Sequence, residues 1–167
     1  MDIDKLISLV GYSSIHDELD DFLVESGVTK RPKSADSYPY EVKTKTPGLS
    51  LLFEDDPEGK GMRRKSKGIF VLFEIYFDFE SKKSRYAGLL PFGVGQLRSS
   101  SDVVDALRPN VPTDIDTSDD ELTVSFYLDG LVITFCYSDL KGLELRFVRV
   151  SLKDKFHVMH GLAPAAG

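Results

Sequence analysis

The chain has no tryptophan, one cysteine and three histidines among its 167 residues. A lone cysteine, Cys136, excludes an internal disulfide and suits a reducing compartment. It lies in the apolar run Leu131–Tyr137 and reads as a small buried hydrophobe, because nothing near it in sequence supplies the base that a thiol nucleophile needs. No apolar run approaches the roughly 20 residues that cross a bilayer. The opening Met1-Asp2-Ile3-Asp4-Lys5 lacks a basic start, a long apolar core and a small-residue cleavage site, so no secretory leader is expected. Phosphate-binding glycine patterns are missing as well. Gly93-Val94-Gly95 continues as Gln96-Leu97-Arg98 without a third glycine, and no Gly-Lys-Ser/Thr loop occurs.

What is present is an ordinary globular composition. Hydrophobic residues make up 41 % and Phe with Tyr supply the 11 % aromatic share, enough for a core without staples. The length fits one domain, expected over residues 1–152, with a flexible tail over 153–167. Formal net charge is −6, so the field of the molecule repels nucleic acid and anionic membranes and attracts cationic partners.

Periodicity places the elements. Ile15, Leu19, Phe22 and Leu23 fall at helical spacing, predicting a helix over 15–26 with Ser13 or Ser14 as its cap and Gly27 as its stop. A shorter helix is expected at 4–9. Strands are predicted at 40–45, 48–54, 69–79 and 85–90, and a second helix at 99–108, capped by Ser100 or Ser101 and ended by Pro109. After an acidic loop at 109–121, strands at 122–128 and 131–137 flank Asp129-Gly130, the signature of a two-residue hairpin turn. A last strand is expected at 143–152. The expected fold is α+β: an antiparallel sheet of about seven strands with two main helices, in the order helix, four strands, helix, three strands.

The search for chemistry returns little. His157 and His160 stand three apart, but a zinc site needs further ligands. His16 stands alone. Three acidic groups occur: Asp17, Glu18, Asp20, Asp21 and Glu25 on the first helix; Glu54, Asp55, Asp56 and Glu58; and Asp114, Asp116, Asp119, Asp120 and Glu121. The third alternates oxygens as a calcium loop does, yet has Asp119 where the sharp-turn glycine belongs and Ser125 where the bidentate glutamate belongs. The basic run Arg63-Arg64-Lys65-Ser66-Lys67 follows the second acidic group closely and reads as part of a solvated loop. No cofactor, metal or catalytic residue is expected.

Two stretches carry a resemblance. Gly27-Val28-Thr29-Lys30-Arg31-Pro32-Lys33, Tyr40 and Pro47-Gly48-Leu49-Ser50-Leu51-Leu52-Phe53-Glu54-Asp55 form the first. Tyr86-Ala87-Gly88-Leu89-Leu90-Pro91-Phe92-Gly93-Val94 and a short helix at 101–108 form the second. Together, over residues 15–152, they resemble small bacterial proteins encoded beside secreted polymorphic toxins. Such proteins often end that helix in Leu-Gly-x-Pro; Leu107-Arg108-Pro109 keeps the pattern in part. The resemblance implies an immunity protein: a cytoplasmic, non-catalytic antidote that binds and blocks a cognate toxin of a type VI or contact-dependent system. The pattern of helices with a β-meander is also similar to small bacterial inhibitors of the β-lactamase-inhibitor-protein type. On this reading the toxin is the partner, nucleic acid and membrane are not, and the two acidic groups Asp114, Asp116, Asp119, Asp120, Glu121 and Glu54, Asp55, Asp56, Glu58 are the electrostatic candidates for contact. Aromatic anchors on a sheet face or loop would complete the grip. A secretion adaptor that binds without inhibiting and a small enzyme with an unrecognised site are the competing expectations.

Overall fold

The computed structural model describes residues 1–94, 99–109, 111, 114–118, 122–138 and 144–165. Helices α1 (Ile3–Ser8) and α2 (Asp17–Glu25) precede strands β1 (Tyr40–Lys43), β2 (Leu49–Glu54) and β3 (Val71–Asp78). Helix α3 (Ser100–Leu107) precedes β4 (Ile115–Thr117), β5 (Thr123–Leu128), β6 (Leu131–Tyr137) and β7 (Leu145–Leu152), and α4 (Lys155–Met159) follows. The strands form one antiparallel seven-stranded sheet in the order β1-β2-β3-β7-β6-β5-β4. It is therefore two meanders, each preceded by helix, joined where β3 pairs with β7. No helix among the described residues is long and apolar enough to cross a membrane.

Alternation along the strands separates two faces. Val42, Leu51, Ile75, Val150, Ile133 and Phe126 are successive cross-strand partners and all are buried. Leu6, Leu19, Phe22 and Leu23 of α1 and α2, and Val103 and Leu107 of α3, belong to the same core cluster. The helices thus close this face, and burying their apolar stripes is what stabilises segments too short to hold as helices alone.

Several expectations need correction. No strand forms at 85–90, because both edges of β3 are already taken, by β2 and by β7. The segment instead anchors through the Tyr86 N–H, which donates to the Asp78 carbonyl at 2.7 Å, and through the buried Tyr86 ring packed edge-on against Phe77. The seventh strand is β4, inside the stretch read as an acidic loop, so three strands precede α3 and four follow it. The first long helix starts at Asp17, with His16 at its cap position and no side-chain cap, and Ile15 is left 73 % exposed. Ser99, not Ser100 or Ser101, caps α3 by accepting from the Asp102 N–H at 3.2 Å. The stretch read as a tail holds α4, whose Asp154 cap accepts the His157 N–H while His157 Nδ1 accepts the Asp154 N–H.

Two glycines carry the tight turns. Asp129 and Gly130 both have positive φ (50° and 86°), as a type I′ hairpin requires. Gly48 (φ 71°) lies against the Tyr86 backbone, and a Cβ there would meet the Tyr86 nitrogen at 2.2 Å. A Cβ at Gly130 meets nothing within 4 Å. Gly130→Ala is therefore expected to cost about 1 kcal/mol, the left-handed strain alone. Gly48→Ala adds a backbone collision and is expected to cost about 3 kcal/mol or more. Urea unfolding of both variants checks the ranking.

Candidate functional site: the uncovered sheet face

The middle of the sheet's second face is part-exposed, with Arg149 exposed and Tyr76 and Thr134 half-buried, and among the described residues the core-forming helices α1, α2 and α3 pack on the opposite face. Across it runs one row of cross-strand partners through all seven strands: Lys43, Ser50, Tyr76, Arg149, Thr134, Ser125 and Asp116. The row starts with an exposed cation and ends with an exposed anion. Its centre is aromatic and cationic. The Tyr76 and Phe147 rings lie 5.5 Å apart, and the Arg149 guanidinium sits 4.7 Å from the Phe147 centroid and 5.7 Å from that of Tyr76. Stacking on two rings orients the guanidinium while leaving Arg149 48 % exposed.

Beneath it stands Glu74, only 12 % exposed. Glu74 accepts a hydrogen bond from Ser151 Oγ at 2.9 Å and lies 3.6 Å from Arg149 Nε. Burial pushes the Glu74 carboxyl above its usual range; Arg149 and Ser151 pull it back only in part, and Asp154 adds to the rise. Ser125 and Thr134 hydroxyls share a hydrogen bond at 2.9 Å further along the row. Cys136, read as a buried hydrophobe, is half-buried on this face, opposite Phe147.

The sequence-predicted acids fall into different settings. Asp114 and Asp116 are exposed at the outer edge of the sheet, Asp116 on the uncovered face. Asp119, Asp120 and Glu121 lie outside the described residues. The second group is engaged within its own loop. Glu54 is 1 % exposed and accepts from the Asp55 and Asp56 N–H groups at 3.1 and 3.0 Å, from Tyr38 Oη at 3.0 Å, and from Lys60 Nζ. Asp55 accepts from Tyr40 Oη at 2.9 Å, Asp56 from the Gly59 N–H at 3.1 Å, and Glu58 binds Arg64 in a two-pronged pair. These carboxylates fold residues 55–68 into a fixed loop, where the sequence reads a solvated one. Burial alone would raise the Glu54 carboxyl, but Lys60, the Asp56 N–H and Tyr38 together hold it below its ordinary value.

His157 is occupied by Asp154 at 2.9 Å and His160 stacks on Phe156 at 4.2 Å. Among the described residues no group of three or more His, Cys, Asp or Glu converges to hold a metal ion. The uncovered face thus presents two rings and one stacked cation beside a hydrogen-bonded, mostly buried carboxylate. Tyr76 and Glu74 were legible as outward-facing from the alternation of β3. Their neighbours Phe147 and Arg149 were not, since nothing local says that β7 lies beside β3. Comparison with protein-family models, with curated proteins and with solved structures finds no match.

The two buried glutamates have opposite signs. Glu54, with a lowered carboxyl, contributes stability that is present above the ordinary carboxylate pKa and is lost as pH falls below it. Glu74, with a raised one, is least costly when protonated, so its charge opposes folding increasingly as pH rises past the ordinary value. Glu54→Gln is expected to destabilise by about 2 kcal/mol at pH 7, with the gap to wild type narrowing below pH 4.5. Glu74→Gln is expected to be neutral or stabilising at pH 7. Urea titrations at both pH values measure the difference.

Proposed function

We propose that the protein is a non-catalytic binding module that grips a partner protein on the uncovered sheet face, and that the partner is a bacterial toxin it neutralises in the cytoplasm by covering the toxin's active site. The observation that carries this reading is the Tyr76–Phe147–Arg149 cluster at the centre of the face. Tyr and Arg are the residue types that dominate interface energetics, and here they are held in place before any partner arrives, so little ordering entropy is lost on binding. Asp114 and Asp116 at the sheet's edge extend the surface with negative charge, which steers a basic partner toward it and raises the association rate. The sequence resemblance supplies the toxin as the partner class. Neither nucleic acid nor membrane is a partner on this reading, and no cofactor takes part.

The test is a pulldown with the tagged full chain from its host, mass spectrometry of the retained proteins, and co-expression of the leading partner to score rescue from toxicity. Neutralisation of a toxic partner supports the proposal; a partner that stays toxic while bound makes the protein an adaptor instead. With that partner in hand, Arg149→Ala and Tyr76→Ala are each expected to weaken binding by about 2 kcal/mol, roughly thirtyfold, without unfolding the chain. Equal affinity in both variants moves the interface elsewhere. Asp114→Lys with Asp116→Lys is expected to slow association and to reduce its salt dependence, read by stopped-flow mixing at two ionic strengths. An unchanged salt dependence removes this edge from the interface.

A further inference from the structure

The sheet ends in β1 on one side and β4 on the other, and among the described residues neither has a strand on its outer side. The Thr44 N–H donates to the Leu49 carbonyl at 3.2 Å, and Val42 and Tyr40 continue that alternation opposite Leu51 and Phe53 of β2. In an antiparallel ladder successive residues turn their main-chain groups to opposite sides. The N–H and C=O groups of Glu41 and Lys43 therefore point away from the sheet, and among the described residues no other main-chain group bonds to them. Both residues are exposed. Such an edge is a template for one more strand.

A second copy of β1 fits this edge in one register. Laid antiparallel with Val42 opposite Val42 of the second copy, Glu41 falls opposite Lys43 and Lys43 opposite Glu41. These are the positions whose main-chain groups point outward, so each opposed pair can exchange two ladder bonds. Both side chains lie on the uncovered face, where Glu41 accepts from Ser50 Oγ at 2.7 Å. Opposite charges facing each other stabilise an antiparallel pair, and like charges destabilise it. Sliding the second copy by two residues in either direction sets Glu41 against Glu41 or Lys43 against Lys43, and sliding it by one mismatches the main-chain groups. On the other face the matched register sets Tyr40 opposite Thr44, an aromatic against a β-branched residue, both half-buried. Pro39 has no N–H and ends the ladder. β4 offers no such match: it is three residues long, and pairing it with itself about its middle sets Asp116 against Asp116.

We propose that β1 is a self-association edge, which pairs with β1 of a second copy of this chain through Glu41 and Lys43 and carries the sheet across both copies. The two uncovered faces then lie side by side, and the pair presents the Tyr76–Phe147–Arg149 cluster twice. The contact is short, and the net charge of −6 on each copy works against it, so the pair is weak and forms at high concentration.

Sedimentation velocity of the full chain at physiological ionic strength, from about 10 µM to about 1 mM, tests this. The sedimentation coefficient is expected to rise with concentration, and the Glu41 and Lys43 amides to exchange more slowly in the concentrated sample. Glu41→Lys and Lys43→Glu are each expected to weaken association on the order of tenfold with an unchanged unfolding midpoint. The double variant is expected to recover wild-type association, because the opposed charges are exchanged rather than lost. The proposal is overturned by a monomer at every concentration, by wild-type association in both single variants, by a double variant as weak as the singles, or by association that leaves exchange at residues 41 and 43 unchanged.

Discussion

The fold depends on one ladder, the pairing of β3 with β7. It joins β3 (residues 71–78) to β7 (residues 145–152) and is, among the described residues, the only strand pairing between the two meanders. Taken alone, the first meander is three strands with α1 and α2, and the second is four strands with α3 and α4. Joined, they place Ile75 and Phe77 against Val150 and Val148 in the middle of a continuous core. The same ladder builds the uncovered face, since Tyr76 and Glu74 come from one strand and Arg149, Phe147 and Ser151 from the other. The core and the uncovered face are therefore two sides of a single seam, and a change that loosens the seam acts on both.

Charge is handled in two contrasting ways on this scaffold. Glu54 is surrounded by four donors and organises the loop that follows it, so its burial is matched by partners. Glu74 has one hydroxyl and a distant guanidinium, and its burial is matched only in part. A charge kept at some cost to folding, beneath an exposed stacked arginine, is a feature that stability alone does not account for.

Local chemistry was legible where the answer was local. Asp129-Gly130 announced its hairpin, and the spacing of Leu19, Phe22 and Leu23 announced α2. The failures share one cause, which is that they turned on neighbours distant in sequence. Residues 85–90 have strand composition but no free edge to join. β4 has a single apolar residue, Ile115, among acids, and forms because β5 has an edge to offer. α4 is five residues long and exists through its Asp154–His157 capping box and its bond to Lys60, so periodicity had too short a window to show it. In the same way Glu54 looked like its acidic neighbours until Tyr38 and Lys60 closed over it.

The position of β7 also sets an order of events on the ribosome. It follows every other strand in the chain yet belongs between β3 and β6, so both of those strands present unpaired edges while it is being made. The nascent chain must keep two open half-sheets apart until residue 152 has left the exit tunnel, and only then can the sheet close and the face that bears Tyr76 and Arg149 come into being. A chain interrupted before that point carries only the β3 half of the uncovered face, without the residues that β7 adds to it.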